Sequence, residues 1–350
     1  MSNHSWSGNS DPGGRPAKSL RFKKRRNFRL PCSLLIVGAL ALLFWLVPTP
    51  NNSLDIYRLQ GLNTLTPAPT PSASPRPTNE HGGRILFTCT RGEFNQICLI
   101  NADGTGYEQL IETNSNAYYP TYSPQGDVIV YASNRNGSFD LYMLIPENRK
   151  QFQLTEGIGN AFSPDFSPDG QQIIFLNRAA DGPSSLWIMQ RMGENPHLLY
   201  AGPNTIVSAA WAPDGKTIAF AMSVDQPNAY EIFLLDAQNP KSAPRRISHD
   251  LQGIGGSINW SPDSKDLVIY AGLAGDKNIY RLDVTSGQTT QLTNGGNNAA
   301  PSYSPDGFWI AYNSTRNDNQ ADIYIMRFDG HSTRQVTHDP EPDWQPRWQP

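Results

Sequence analysis

One pattern recurs from residue 120 to the last residue and limits what this chain can become. It runs proline or a small residue, a spacer, an aromatic, a small residue or glutamine, then proline. The copies are PTYSPQG (120–126), PDFSPDG (164–170), AAWAPDG (209–215), INWSPDS (258–264), PSYSPDG (301–307) and the truncated PRWQP (346–350). Their closing prolines, Pro124, Pro168, Pro213, Pro262, Pro305 and Pro350, are spaced 44, 45, 49, 43 and 45 residues apart. A period near 45 residues is the length of one four-stranded propeller blade.

The chemistry inside each repeat agrees. S-P-D-G is a turn: proline presets φ, aspartate bonds the local backbone, and glycine takes the exit conformation. A short apolar strand follows (VIVYAS, IIFLNR, TIAFAM, LVIYAG, WIAYNS), without polar alternation, as a strand covered on both faces requires. After a polar loop comes a third strand such as DLYMLI or DIYIMR, then a short outer strand. Residues 82–111 supply the second, third and fourth strands of a first blade but no aromatic–proline strand before them. The C-terminal DWQPRWQP supplies that strand with no blade behind it. The expected fold is all-β: a six-bladed β-propeller whose first blade is closed by the C-terminal strand. An open solenoid would leave these complementary ends unexplained and an edge exposed.

The pattern SPDG-x-x-IAF…NR-x-G…IY-x-M…DG resembles the WD40-like propeller repeat of TolB-type proteins across roughly residues 82–350. The resemblance implies the fold and carries little about function, because similar repeats serve unrelated proteins. TolB-type proteins resemble a two-domain arrangement, with an α/β domain ahead of the propeller. Here the preceding sequence is of another kind, so a Tol–Pal partnership is not implied. The hydrolase domain that accompanies some similar propellers would bring a G-x-S-x-G nucleophile elbow, and the sequence has none.

That preceding sequence divides by composition. Residues 1–30 carry eight Lys/Arg against Asp11; the whole chain is −3, so residues 31–350 carry −10. The cluster RFKKRRNFR abuts the uncharged PCSLLIVGALALLFWLVP (31–48). That run is just long enough to span a bilayer and ends without a small-residue cleavage site. The expectation is a basic cytoplasmic tail (1–30), an uncleaved transmembrane signal anchor (31–48), a disordered Pro/Thr/Ser-rich linker (49–80) and the propeller (81–350) outside the cytoplasm, periplasmic or extracellular. The membrane partner is then residues 31–48. An acidic body argues against nucleic acid, and the head is expected to be monomeric.

In a propeller, the loops between the second and third strands and those between blades share one face around the channel mouth. Here they vary and carry aromatics with Asn. The candidate contact set for a protein, peptide or glycan is Tyr118, Tyr119, Asn160, Phe162, Asn204, Asn297, Asn298 and Trp344. Some of these aromatics have an alternative reading as channel plugs. No catalytic, cofactor or metal residue is nominated: neither a phosphate loop nor a zinc pattern is present. His249–Asp250 and His338–Asp339 sit where other blades have plain polar turns. Arg91, Arg135, Arg178 and Arg316 recur at one loop position and are expected to tether acids such as Asp140 or Asp322. The alternative function is a propeller enzyme acting on polysaccharide, a lyase or glycosidase. Its test is whether His249, His338, Asp225 and these arginines converge. Cys89 and Cys98 fall on adjacent strands of blade 1, where either a disulfide or two buried thiols fits.

Overall fold

The computed structural model describes residues 82–350 except 180–181, 225–228, 250 and 318. The tail, anchor and linker expected over 1–80 lie outside the described residues, as do Asp225 and Asp250. No helix among the described residues is long and apolar enough to cross a membrane.

Among the described residues twenty-four strands form six four-stranded antiparallel sheets. Blade 1 takes β1 (Arg84–Arg91), β2 (Phe94–Asn101) and β3 (Glu108–Gln109). Blade 2 is β4 (Ala117–Tyr122), β5 (Ile129–Asn136), β6 (Ser138–Ile145) and β7 (Lys150–Gln153). Blade 3 is β8 (Asn160–Phe166), β9 (Gln172–Arg178), β10 (Ser185–Gln190) and β11 (His197–Tyr200). Blade 4 is β12 (Ile206–Trp211), β13 (Thr217–Ser223), β14 (Tyr230–Asp236) and β15 (Arg245–Arg246). Blade 5 is β16 (Ile258–Trp260), β17 (Asp266–Leu273), β18 (Asp276–Asp283) and β19 (Thr289–Gln291). Blade 6 is β20 (Ala299–Tyr303), β21 (Trp309–Ser314), β22 (Asp322–Arg327) and β23 (Arg334–Gln335). The last strand, β24 (Asp343–Trp348), returns to blade 1, giving the order β24-β1-β2-β3.

The seam is a registered antiparallel pair, Ile85 opposite Trp348 and Cys89 opposite Asp343. Two backbone bonds extend it, Thr90 N–H to Pro342 O and Gln349 N–H to Arg84 O, both 2.9 Å. The expected closure of the ring by the chain's own end is therefore what the fold shows.

The aromatic–proline turns behave as their residues dictate. In each, the fourth residue donates its N–H to the first carbonyl: Gly126 to Ser123, Gly170 to Ser167, Gly215 to Ala212, Ser264 to Ser261 and Gly307 to Ser304. The exit residue has φ near +70° at the glycines and +60° at Ser264, which takes the left-handed conformation without glycine's freedom.

The core is distributed. Six hydrophobic clusters each bridge two neighbouring blades; blades 1 and 2 share Leu86, Leu99, Ile129 and Tyr131, and blades 6 and 1 share Phe87, Ile100, Ile323 and Trp348. Five blades plant an aromatic at one second-strand position, Phe87, Tyr131, Phe175, Phe220 and Tyr312, all fully buried; blade 5 has Ile269 there. Burying such a side chain stabilises by about 1.5–3 kcal/mol. Continuous apolar second strands follow from this sandwiching between sheets.

Candidate functional site at the channel mouth

The innermost strands β4, β8, β12, β16, β20 and β24 end their sheets and so face the axis. In four of them the residue before a proline is left-handed: Tyr119 (φ 54°), Ser163 (φ 51°), Ala300 (φ 51°) and Gln345 (φ 54°). The ladder register slips at the same places, between Tyr118 and Thr121, Phe162 and Asp165, Ala299 and Ser302, and in β24 opposite Leu86–Thr88. These are β-bulges, and a bulge re-aims side chains that simple alternation would hide. Proline suits the position because it disfavours the right-handed conformation in the residue before it.

Above the bulges opens a cavity of about 830 Å³. All six innermost strands or the segments leading into them line it, together with Asn95, Arg178, Tyr230, Tyr270 and Lys277 from the loops between second and third strands and the strand ends beside them. Four of the eight nominated residues meet there: Tyr118, Tyr119, Phe162 and Trp344. Three of them form a chain of tilted rings, Tyr118 to Tyr119 and Tyr119 to Phe162 each at 6.2 Å between centroids, with Phe139 6.0 Å from Tyr118. Asn95 Nδ2 donates to the Tyr118 hydroxyl at 2.8 Å and fixes that end of the row.

The nominated asparagines are placed differently, and none of them lines the cavity. Asn160 accepts the Phe139 N–H at 3.2 Å, and Asn204 is exposed. Asn297 is left-handed at φ 47°. Asn298 is fully buried, its Nδ2 donating to Gly295 O at 2.8 Å and Thr293 Oγ1 at 3.0 Å. It is a structural tie below the loop.

Sequence reasoning missed the residues deeper in the channel. The spacer of the repeat is Thr121, Asp165, Ala210, Asn259, Ser302 or Arg347 in successive blades, and of these Arg347 lines the cavity. Asp165 Oδ2 accepts the Trp211 N–H at 2.8 Å and Asn259 Oδ1 the Tyr303 N–H at 2.8 Å, each stitching one blade to the next. Gln345 Oε1 does the same for Tyr119 N–H at 2.9 Å. Arg347 lines the cavity, and no carboxylate among the described residues is within ion-pair distance of it. Burial lowers the Arg347 pKa, with the negative charge of Asp165 opposing. Burial pushes Asp165 up to about 6, against the pull of the Trp211 N–H and the Arg347 charge.

The recurrent arginines do not converge. Arg135 donates to Tyr131 Oη and Gln151 Oε1 and stacks 4.1 Å from the Tyr142 centroid. Arg316 repeats this with Tyr312 Oη at 3.1 Å and Tyr324 at 5.0 Å. The expected acid partners Asp140 and Asp322 are buried and held instead by Thr155 and by Gln335. Among the described residues, Arg91 alone of the four pairs with acids, Asp339 at 2.9 Å and Asp343 at 3.4 Å. Arg178 alone of the four lines the cavity. His249 and His338 are exposed and outside the lining. Among the described residues no three His, Cys, Asp or Glu gather as a metal site would. Cys89 and Cys98 are bridged, Cα atoms 5.8 Å apart, beside the seam.

Residues 179–350 match the family described as PD40, TolB beta propeller domain. A 141-residue stretch is 36% identical to the uncharacterized protein Atu1656 of Agrobacterium fabrum, covering 40% of this chain and 46% of that one. The match therefore spans less than half the length of that relative. TolB from Acinetobacter baumannii superposes with a TM-score of 0.68 at 21% identity, covering 77% of this chain and 67% of that one. Oligogalacturonate lyase from Vibrio parahaemolyticus superposes with a TM-score of 0.51 at 13% identity, covering 74% and 75%. At such identities these solved structures establish the fold alone. Closed ring, blade chemistry and family match agree: the described head of this chain is a TolB-like β-propeller of WD40-like repeats.

Proposed function

We propose that the protein is a membrane-anchored scaffold that captures a protein partner by a peptide segment at the channel mouth of its propeller. The observation that carries this is the gathering of Tyr118, Tyr119, Phe162 and Trp344 around one cavity of about 830 Å³. Rigid aromatics in a concave site supply large contact area at low entropic cost, which is where binding energy concentrates. The innermost strands also end their sheets at the axis. Such edges offer backbone donors and acceptors to an extended chain. The likeness to TolB propellers supports a protein partner.

The head stands outside the cytoplasm on the linker 49–80 and the signal anchor 31–48, with residues 1–30 inside. The basic cluster beside an uncharged apolar run supports this orientation. A lyase or glycosidase reading has the Vibrio lyase likeness behind it, but among the described residues the arginines and histidines it would draw on are dispersed.

The test is affinity capture from the native membrane fraction with the full-length chain, set against the Tyr118→Ala/Trp344→Ala variant. A protein bound by the wild type and lost by a folded variant is the expected result. An identical bound set would refute the mouth as the site.

A further inference from the structure

Among the described residues the charged side chains that line the cavity are Arg178, Lys277 and Arg347, with no aspartate or glutamate beside them. Residues 31–350 as a whole carry a net charge of −10. A depression whose described charged lining is cationic, in a body of net negative charge, is a local reversal of field. Among the described residues none of the three has an ion-pair partner. Lys277 instead lies over the Tyr270 ring, 5.4 Å from its centroid, inside the same lining. Arg347 donates to its neighbour's carbonyl, Pro346 O, at 3.3 Å. Lys277 and Arg347 are half-buried and Arg178 is exposed, and cations gathered around one depression repel one another unless something of opposite charge completes them.

Resting on the channel-mouth reading above, we propose that the segment captured there is acidic: a peptide whose Asp or Glu side chains reach Arg347 in the depth and Lys277 and Arg178 nearer the loops. Its apolar residues then pack on Tyr118, Tyr119, Phe162 and Trp344. An acidic peptide fits better than an acidic sugar because the ring of strand edges presents backbone groups at the axis, and an extended chain pairs with those as a glycan does not. The guanidinium of Arg347 takes a carboxylate in two parallel hydrogen bonds. Asp165 belongs to the device. Its Oδ2 is held by the Trp211 N–H at 2.8 Å, so it partly offsets the Arg347 charge without forming an ion pair that a ligand would have to break.

The experiment is calorimetric titration of the full-length chain in non-ionic detergent. The probes are four: a capped hexapeptide alternating Glu and Leu, the same peptide with Gln for Glu, the same with Lys for Glu, and tetragalacturonate. The Glu peptide is expected to bind at least about tenfold tighter than the Gln peptide, to weaken as salt rises, and the Lys peptide not to bind. Lys277→Glu is expected to cost the Glu peptide at least about tenfold and to narrow its advantage over the Lys peptide. Arg347→Gln repeats the loss at the deep position, and a melting curve shows whether each variant is folded. Equal affinity for Glu and Gln peptides overturns the acidic preference and leaves peptide capture standing. Binding of tetragalacturonate without the Glu peptide overturns both. Silence from all four probes overturns the acidic-peptide proposal, and the capture experiment then judges the mouth separately.

Discussion

Asp343 lies directly opposite Cys89 in the strand pair that joins the two ends of the propeller. A fully buried carboxylate thus sits in the seam that holds the ring shut. Arg91 Nη1 is 3.4 Å from its Oδ1, and among the described residues its Oδ2 has no hydrogen-bond partner. Burial pushes its pKa up to about 7, opposed by the Arg91 charge and the Thr337 hydroxyl and assisted by Asp339 and Asp322.

That position makes closure pH-dependent, with a definite sign. The folded pKa is above the ordinary 3.8, so the folded head holds a proton that the unfolded chain releases. Stability from this group is complete below about pH 4 and is lost as pH rises to about 7, by on the order of a few kcal/mol. Melting temperature measured from pH 5 to 8 is expected to carry this decline, and Asp343→Asn to flatten it. A profile of equal slope in the variant contradicts the assignment.

Deleting residues 342–350 removes β24, exposes the edge of β1 and uncovers the cluster shared by blades 6 and 1. The melting temperature is expected to fall by roughly 10 °C or more. An unchanged melt would mean that the seam contributes nothing.

The Cys89–Cys98 bridge spans a short hairpin already held by the β1–β2 ladder. Chain-entropy reasoning gives it at most about 3 kcal/mol. The Cys89→Ala/Cys98→Ala variant is expected to melt lower yet still close. Loss of all folded protein would assign the bridge a larger role than stapling.

Gly255 is a packing requirement of the mouth. A Cβ there would lie 1.8 Å from the Tyr270 ring, which lines the cavity. Gly255→Ala is expected to weaken peptide binding several-fold while Tyr270→Phe retains most of it. The measurement is the calorimetric titration described above. If Gly255→Ala bound normally, Tyr270 would not be a wall of the site.

The ring was readable from spacing because each blade repeats its turn chemistry: Pro124 to Pro350 count the blades, and the unmatched strands at Arg84 and Trp348 close them. The aromatics of the mouth were readable because they stand beside those turns. Asp165, Arg347 and Lys277 were not. The first two occupy the repeat's spacer position, and which way a spacer points depends on left-handed residues such as Tyr119 and Gln345, which a period of two cannot reveal. Asn298 looked like a loop contact by composition. Its role as a buried tie follows from the neighbouring Thr293 and Gly295, which only packing brings together.

The most direct test of the channel-mouth account is in-cell photo-crosslinking of the full-length chain. A benzophenone side chain is placed at Trp344 in the cavity and, as control, at exposed Gln238 in the β14–β15 turn on the opposite face. Crosslinks to one protein, through an acidic segment, from Trp344 and not from Gln238 are the expected result. Equal crosslinking from both positions, or from Gln238 alone, would contradict it.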